Sequence, residues 1–224
     1  MATLFVVGTP IGHLEDVTLR ALRILKEADV ILCEDTRVTK RLLERHAIAN
    51  KQLTTYNEQQ SGVTAEKIIK WLEEGKNVAL VSDAGTPGIS DPGTILVQKV
   101  REALPEVKIE SVPGPSALTA ALSIAGVPAH DFVFLGFLPH KKGRETLFKE
   151  IAASERAMIF YESPHRILKA LESLVKFAPE KKVTIARELT KIHEEIKSGS
   201  AEKLSEFFKT NPEKVRGEFV VIVS

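Results

Sequence analysis

The sequence predicts an α/β protein in two halves, with a wound parallel sheet in the first half and a mixed sheet in the second. In the first half, short apolar runs alternate with amphipathic segments over about 110 residues, a pattern typical of a parallel sheet wound with helices. In the second half, the connections mix short and long lengths, which favours a mixed sheet. Glycine, proline and charged residues gather where the runs end.

Apolar runs of strand length predict the positions of the strands in the first half. These runs cover residues 4–7, 30–33, 52–56, 78–81 and 107–112. Apolar residues at helical spacing predict a helix after each of the first four runs. Asp16 or Thr18 can cap the first helix, and Asp35 or Thr36 can cap the second.

A Pro-Gly-Pro sequence at residues 113–115 interrupts this alternation and predicts a domain boundary. We therefore assign residues 1–113 to an N-terminal α/β domain and residues 114–224 to a C-terminal α/β domain. Apolar runs in the second domain predict strands at 132–138, 156–161, 183–186 and 219–223. A weak alternation at 193–197 favours a further strand that pairs antiparallel beside 183–186. Helices are predicted over 117–125, behind Ser163, and from Ser200.

Composition excludes several classes of protein. Hydrophobic residues make up 43% and charged residues 27%, as in an ordinary soluble globular protein. The net charge of +1 argues against coating nucleic acid by bulk electrostatics. A single Cys33 excludes an intrachain disulfide framework and a zinc site built on several cysteines, and it fits a reducing cytoplasm. We expect no membrane span and no signal peptide.

The loop at residues 80–93 is the most unusual stretch of the chain. It follows a buried strand and contains Gly85, Gly88 and Gly93 together with Pro87 and Pro92. The glycines permit a close approach of the backbone to a ligand, and the prolines stiffen the loop. One interpretation is a small-molecule site at the carboxyl end of a strand; the other is a long turn with a capping aspartate.

Charged residues also follow the second predicted strand. Glu34 and Asp35 stand beside Arg37 there, which places two carboxylates next to a guanidinium. The structural alternative is that Asp35 or Thr36 caps the next helix and that Arg37 pairs with a neighbouring acid. Because the strand ends of a wound sheet share one edge, we expect the unusual segments to converge on a single cleft between the two halves.

Eight motifs occur in order along the chain: VGTPIGHLED, CEDTR, LVSDAGTPGISDPG, PGPSA, GFLP, FYESPHR, ARELTK and RGEFVVIV. Together they resemble the bacterial 16S rRNA (cytidine) ribose 2′-O-methyltransferase I family, a branch of the tetrapyrrole methylase superfamily. The resemblance implies a two-domain tetrapyrrole methylase-like fold, with S-adenosylmethionine in the cleft between the domains, and a homodimer. It also implies methylation of a decoding-region cytidine of 16S rRNA within the 30S subunit.

The resemblance also implies which residues contact the cofactor. By motif match these are Pro10, Asp83, Ala84, Gly85, Thr86, Ser116, Ala117, Tyr161, Ala186, Arg187 and Gly217. Two positions depart from the family pattern, His13 and Tyr56, and no role is assigned to either. Many members of the family also continue past the RGEFVVIV strand.

For the acceptor side of the reaction, the hypothesis rests on charged residues at strand ends. Glu34, Asp35 or Glu58 would accept the proton of the ribose hydroxyl, and Arg37 or Arg187 would hold the adjacent phosphate. Contacts to the RNA backbone are expected from two basic clusters: Arg37, Lys40, Arg41, and Lys141, Lys142, Arg144.

Two alternatives stay open. A corrin-precursor C-methylase would need a broad apolar cleft in place of a basic rim, and a non-catalytic S-adenosylmethionine-binding module for ribosome assembly would keep the cofactor loops but transfer nothing. Locating the label after incubation with labelled S-adenosylmethionine and either 30S subunits or a corrinoid separates the three.

Overall fold

A computed structural model describes residues 2–56, 61–91 and 93–224. The chain divides into two compact units, unit 1 at Met1–Ser116 and unit 2 at Ala117–Ser224. The division falls three residues after the boundary expected at the Pro-Gly-Pro sequence. In the described part of the chain, no helix is both long enough and apolar enough to cross a membrane.

Unit 1 contains a wound parallel sheet, which confirms the prediction for the first half. Its strands are β1 (Thr3–Val7), β2 (Val30–Cys33), β3 (Gln52–Thr55), β4 (Val78–Val81) and β5 (Lys108–Val112). Their spatial order is β3-β2-β4-β1-β5, and all the pairings are parallel. The carboxyl ends of these strands therefore lie along one edge of the sheet.

Helices cover both faces of this sheet. They are α1 (Leu19–Glu27), α2 (Thr36–Arg45), α3 (Ser61–Glu73) and α4 (Gly93–Ala103). Ile31 and Cys33 of β2 belong to the apolar cluster with α1 and α2, whereas Leu32 belongs to the cluster with α3 and α4. Successive strand residues point to opposite faces, which is why these strands read as continuous apolar runs.

Helix caps follow two of the predictions. The Thr18 side chain accepts a hydrogen bond from the Ala21 amide at 3.1 Å and caps α1. Asp35 caps α2 by accepting from the Arg37 amide at 2.8 Å.

Unit 2 contains the mixed sheet that the second half predicts. Its strands are β6 (Phe132–Phe137), β7 (Ala157–Glu162), β8 (Lys182–Arg187), β9 (Glu195–Ser200) and β10 (Phe219–Val223). The order is β6-β7-β10-β8-β9, with β6 parallel to β7 and the remaining pairs antiparallel. The carboxyl ends of β6, β7 and β8 consequently share one edge with the amino ends of β9 and β10.

The helices of unit 2 are α5 (Ala117–Ala125), α6 (Arg144–Ala153), α7 (Ile167–Phe177) and α8 (Ala201–Thr210). The last three contribute Phe148, Leu171, Phe208 and other side chains to one apolar core. Helix α6 is not among the predicted elements, although Phe148 and Ile151 are buried and Leu147 packs beside them. Ser163 precedes α7 by a turn rather than capping it, since α7 begins behind Arg166.

Replacing Gly8 with alanine should destabilise unit 1, because a Cβ there would lie 2.7 Å from the Cα and N of Gly114. We expect Gly8→Ala to lower the free energy of unfolding by about 2 kcal/mol, since backbone atoms cannot move aside as a flexible side chain would. Urea denaturation followed by circular dichroism measures the change. In Gly199→Ala the nearest atom is 3.9 Å away, so this control should be unaffected. Equal unfolding midpoints for Gly8→Ala and the unaltered protein would contradict this prediction.

Candidate functional site

The loops behind β1 and β4 are joined at the carboxyl edge of the parallel sheet. The Thr9 amide donates to the Gly85 carbonyl at 2.8 Å, and the Gly85 amide donates back to Thr9 at 3.1 Å. The Thr9 hydroxyl also donates to the Ser82 carbonyl at 3.0 Å. Residues 8–10 and 82–86 are therefore fixed against each other by main-chain hydrogen bonds.

A third loop, behind β5, meets these two. Gly8 and Gly114 approach so closely that a Cβ on either one would collide with the backbone of the other. The Thr86 hydroxyl donates to the Pro115 carbonyl at 3.4 Å, and Gly85 has a φ of +83°, which favours glycine. The structure thus brings together the unit 1 residues predicted to contact the cofactor: Pro10, Asp83, Ala84, Gly85, Thr86 and Ser116.

The rest of the 80–93 loop is shaped by Asp91. Its carboxylate accepts hydrogen bonds from the amides of Gly88, at 2.8 Å, and Gly93, at 2.7 Å. A cavity of about 610 Å³ lies beside this segment, with Val6, Pro87 and Val97 in its wall. None of its described lining residues is a predicted cofactor contact. Because Asp91 accepts a hydrogen bond from the amide of Gly93, the first residue of α4, this loop contains the capping aspartate that the turn interpretation expects.

Carboxylates from neighbouring strands meet at the same edge. The Asp83 side chain accepts a hydrogen bond from the Asp35 amide at 2.9 Å, and Glu34 accepts from the Asp83 amide at 3.4 Å. Burial raises the pKa of both Glu34 and Asp83 above the ordinary carboxyl values. A carboxylate with a raised pKa holds a proton more readily, which suits a group that accepts one during a reaction.

Asp35 has a different environment from these two acids. Its carboxylate pairs with the Arg37 guanidinium at 2.5 Å, and hydrogen bonds from the Arg37 side chain lower its pKa to about 2. Such an acid binds protons weakly near neutral pH. The structural alternative of a cap and an ion pair is therefore confirmed, although the Arg37 side chain is 88% exposed and stays accessible to a ligand.

The remaining basic residues of this region lie on α2. Lys40 and Arg41 are both exposed, and Lys40 Nζ lies 3.7 Å from Glu44 Oε1. Both stay candidates for RNA contact. Glu58, the third candidate base, lies outside the described residues.

In unit 2, Tyr161 and Ala186 stand opposite Val220 on the strands flanking β10. The Tyr161 ring lies 4.9 Å from the ring of Phe134. Gly217, just before β10, has a φ of +69°, and a Cβ there would collide with the Glu188 carboxylate. The sheet therefore places three predicted cofactor contacts of this unit, Tyr161, Ala186 and Gly217, at one end of neighbouring strands. Ala117 is the first residue of α5.

Arg187 is less accessible than a phosphate-holding role requires. Its side chain is 8% exposed, and its Nε donates to Glu195 at 2.9 Å. Glu195 also pairs with Lys214 at 2.7 Å. This placement favours a structural ion pair over a contact to an RNA phosphate.

Arg144 also departs from its prediction. Lys141 and Lys142 are exposed, but the Arg144 side chain is 8% exposed and pairs with the fully buried Glu162 at 3.2 Å. The Arg144 charge is therefore neutralised inside the fold, and this placement favours a structural role over the predicted RNA contact. Sequence reasoning missed Glu162 and its second partner, Arg166, although both lie in the FYESPHR motif.

Comparison with known proteins assigns the family. A family model described as Tetrapyrrole (Corrin/Porphyrin) Methylases matches residues 3–205. The chain belongs to the tetrapyrrole methylase family. The members of this family are S-adenosylmethionine-dependent methyltransferases, so the recognition made from the eight motifs is confirmed at this level.

Relatives within the tetrapyrrole methylase family align along the whole chain. A Thermotoga maritima protein named ribosomal RNA small subunit methyltransferase I is 46% identical over 100% of this chain and 99% of its own length. An Escherichia coli O157:H7 protein of the same name is 46% identical over 98% of this chain and 77% of its own length. The relatives therefore differ in length, as the resemblance leads one to expect.

Solved structures of other methylases share the fold. The methyltransferase CobJ is 26% identical with a TM-score of 0.72, over 100% of this chain and 94% of its own. Uroporphyrin-III C-methyl transferase from Thermus thermophilus, complexed with S-adenyl homocysteine, has a TM-score of 0.68 and 21% identity over 99% and 97% of the two chains. The predicted tetrapyrrole methylase-like fold is thereby confirmed.

The raised pKa of Glu34 predicts a pH-dependent stability. A carboxyl group with a raised folded-state pKa binds more protons in the folded than in the unfolded protein, so the free energy of unfolding falls as pH rises through that range. Glutamine cannot ionise, so Glu34→Gln should remove this fall. The free energy of unfolding of Glu34→Gln minus that of the unaltered protein should therefore be larger at about pH 8 than at about pH 4.

Urea midpoints at the two pH values measure the effect. Glu106→Gln, on an exposed turn of the same unit, serves as the matched control for replacing a glutamate with glutamine. If this difference in the free energy of unfolding is the same at both pH values, or is larger at about pH 4, burial does not raise the pKa of Glu34 in the way described.

Proposed function

We propose that the protein transfers a methyl group from S-adenosylmethionine to the ribose 2′-oxygen of a cytidine in the decoding region of 16S rRNA. The observation that carries this proposal is the 46% identity, over the whole chain, to a protein named ribosomal RNA small subunit methyltransferase I. The protein would act in the cytoplasm, as a homodimer, on rRNA within the 30S subunit.

The cofactor part of the proposal is supported by the geometry of unit 1. The cofactor supplies a methyl group bound to a positively charged sulfur. The three joined loops offer backbone groups and the Asp83 carboxylate, and the close contact between Gly8 and Gly114 lets these loops converge. Pro10, Asp83, Ala84, Gly85, Thr86 and Ser116 would hold the cofactor there. Contacts from Ala117, Tyr161, Ala186, Arg187 and Gly217 of unit 2 remain predictions.

Glu34 is the described residue best suited to accept the proton of the ribose hydroxyl. Its burial raises its pKa, whereas Arg37 lowers the pKa of Asp35 to about 2. As the new oxygen–carbon bond forms, the hydroxyl proton would pass to the Glu34 carboxylate. Arg37, with its exposed guanidinium, would hold a neighbouring phosphate. Glu58 remains a second candidate.

The RNA would be held by exposed basic side chains rather than by a uniformly basic surface. Lys40, Arg41, Lys141 and Lys142 are exposed, while the net charge of the chain is only +1. Local contacts of this kind suit a target recognised by its folded shape.

A second candidate function is C-methylation of a corrin precursor, favoured by the 26% identity to the methyltransferase CobJ. Incubation with labelled S-adenosylmethionine and either 30S subunits or a corrinoid distinguishes the two. Label on a 16S rRNA ribose supports the proposal, and label on the corrinoid supports the second function. Label on neither, with S-adenosylmethionine still bound, indicates a non-catalytic module.

Charge reversal in the loop after β6 tests the RNA contacts. The double variant Lys141→Glu, Lys142→Glu should raise the Kd for 30S subunits at least tenfold at moderate salt, because it replaces two attractive phosphate contacts with repulsive ones. Its Kd for S-adenosylmethionine should not change. Filter binding and calorimetry measure the two constants. Lys203→Glu on α8 is the control for a change in overall charge, and an equal loss of both affinities would show that the loop is structural.

A further inference from the structure

We propose that Glu162 is a positioning residue for RNA binding, which acts through Arg144 and Arg166 to hold the loop at residues 138–143. This loop follows β6 and carries the exposed Lys141 and Lys142. The inference rests on the proposed function, since it concerns how the RNA-contacting lysines are presented.

Glu162 is the last residue of β7, and it is completely buried. Its Oε2 lies 3.2 Å from Arg144 Nη2, and its Oε1 lies 3.0 Å from Arg166 Nε. The Ser163 amide donates to Oε1 at 3.0 Å. One carboxylate in the interior thus binds two guanidinium groups from different segments, Arg144 at the start of α6 and Arg166 just before α7.

Each arginine also reaches the backbone or a side chain of the loop. Arg144 Nη1 donates to the Pro139 carbonyl at 3.2 Å. Arg166 Nη2 donates to the Leu138 carbonyl, and its Nη1 donates to His140 Nε2 at 3.2 Å. Three consecutive loop residues are therefore tied to Glu162, which itself belongs to the neighbouring strand.

The choice of residues fits positioning better than stability alone. Burying an ion pair gains little over packing apolar side chains of similar volume, because the charges lose their water. A guanidinium, however, presents several donors in a fixed plane and can bind a carboxylate and a carbonyl together. The Arg144 guanidinium is further confined above the Phe148 ring, at 5.2 Å from its centroid.

Holding the start of the loop affects the lysines that follow it. Arg144 also anchors the far end of the loop, where its amide donates to the Lys141 carbonyl at 3.2 Å. With both ends held, Lys141 and Lys142 project from a short ordered segment, so RNA binding does not have to order the backbone first. Without these anchors, the protein would bind RNA less tightly even though Lys141 and Lys142 were still present.

The test compares variants of the anchor with removal of the lysines. Glu162→Gln and Arg166→Gln are each made alone and combined with Lys141→Ala, Lys142→Ala. Arg166 is 18% exposed, and its loss leaves the Arg144–Glu162 pair intact, so Arg166→Gln carries the test if Glu162→Gln fails to fold. The measurements are the Kd for 30S subunits at several salt concentrations and the Kd for S-adenosylmethionine.

Each anchor variant should weaken 30S binding about three- to tenfold. The salt dependence should also decrease: the slope of log Kd against log salt should fall by about 1 to 2, because phosphate contacts are lost. Affinity for S-adenosylmethionine should stay unchanged. In the background lacking both lysines, the anchor variants should have no further effect on RNA binding, because the contacts they position are already gone.

Phe208→Leu in the core of unit 2 is the control for general destabilisation, and it should not change the salt dependence. Equal, additive losses in both backgrounds, or a parallel loss of S-adenosylmethionine affinity, would overturn the positioning role while leaving the proposed function intact. Absence of 30S binding by the unaltered protein would overturn the proposed function, and this inference with it.

Discussion

The contact between Gly8 and Gly114 is the constraint on which the arrangement of unit 1 depends. The two backbones meet at a distance that leaves no room for a side chain on either residue. Parallel strands bring their carboxyl ends to one edge, and this contact, the Thr9–Gly85 bridge and the Thr86–Pro115 hydrogen bond join the loops there. Main-chain groups dominate such a site, so its chemistry depends more on backbone shape than on side-chain identity.

Position also separates acids that are neighbours in the sequence. Glu34 and Asp35 are consecutive, yet burial raises the pKa of the first and Arg37 lowers that of the second. The two charge clusters differ in the same way, because Arg144 is used internally and Lys141 and Lys142 are not. In both cases the fold assigns different roles to residues that a count of charges would treat alike.

Much of the fold could be predicted, because buried strands appear as apolar runs and buried helix faces as apolar residues at helical spacing. The family was predicted from the order of the eight motifs. The parts that could not be predicted depend on pairing across the chain. Arg187 and Arg144 have the composition of phosphate contacts, and only the positions of Glu195 and Glu162 show that their charges are neutralised. Helix α6 was not predicted, although Phe148 and Ile151 lie on its buried face; its third buried residue is Arg144, whose burial depends on Glu162 from another strand.

The alternation along the strands of unit 1 has a consequence for sequence change. Ile31 packs with the α1 and α2 layer, and Leu32 with the α3 and α4 layer, so adjacent residues belong to separate apolar cores. Substitutions in the two cores that lie more than about 10 Å apart and share no partner should have nearly additive effects on stability. The residues of each helical layer can therefore change independently of the other layer, while the carboxyl edge of the sheet, which carries the loops, keeps its structure.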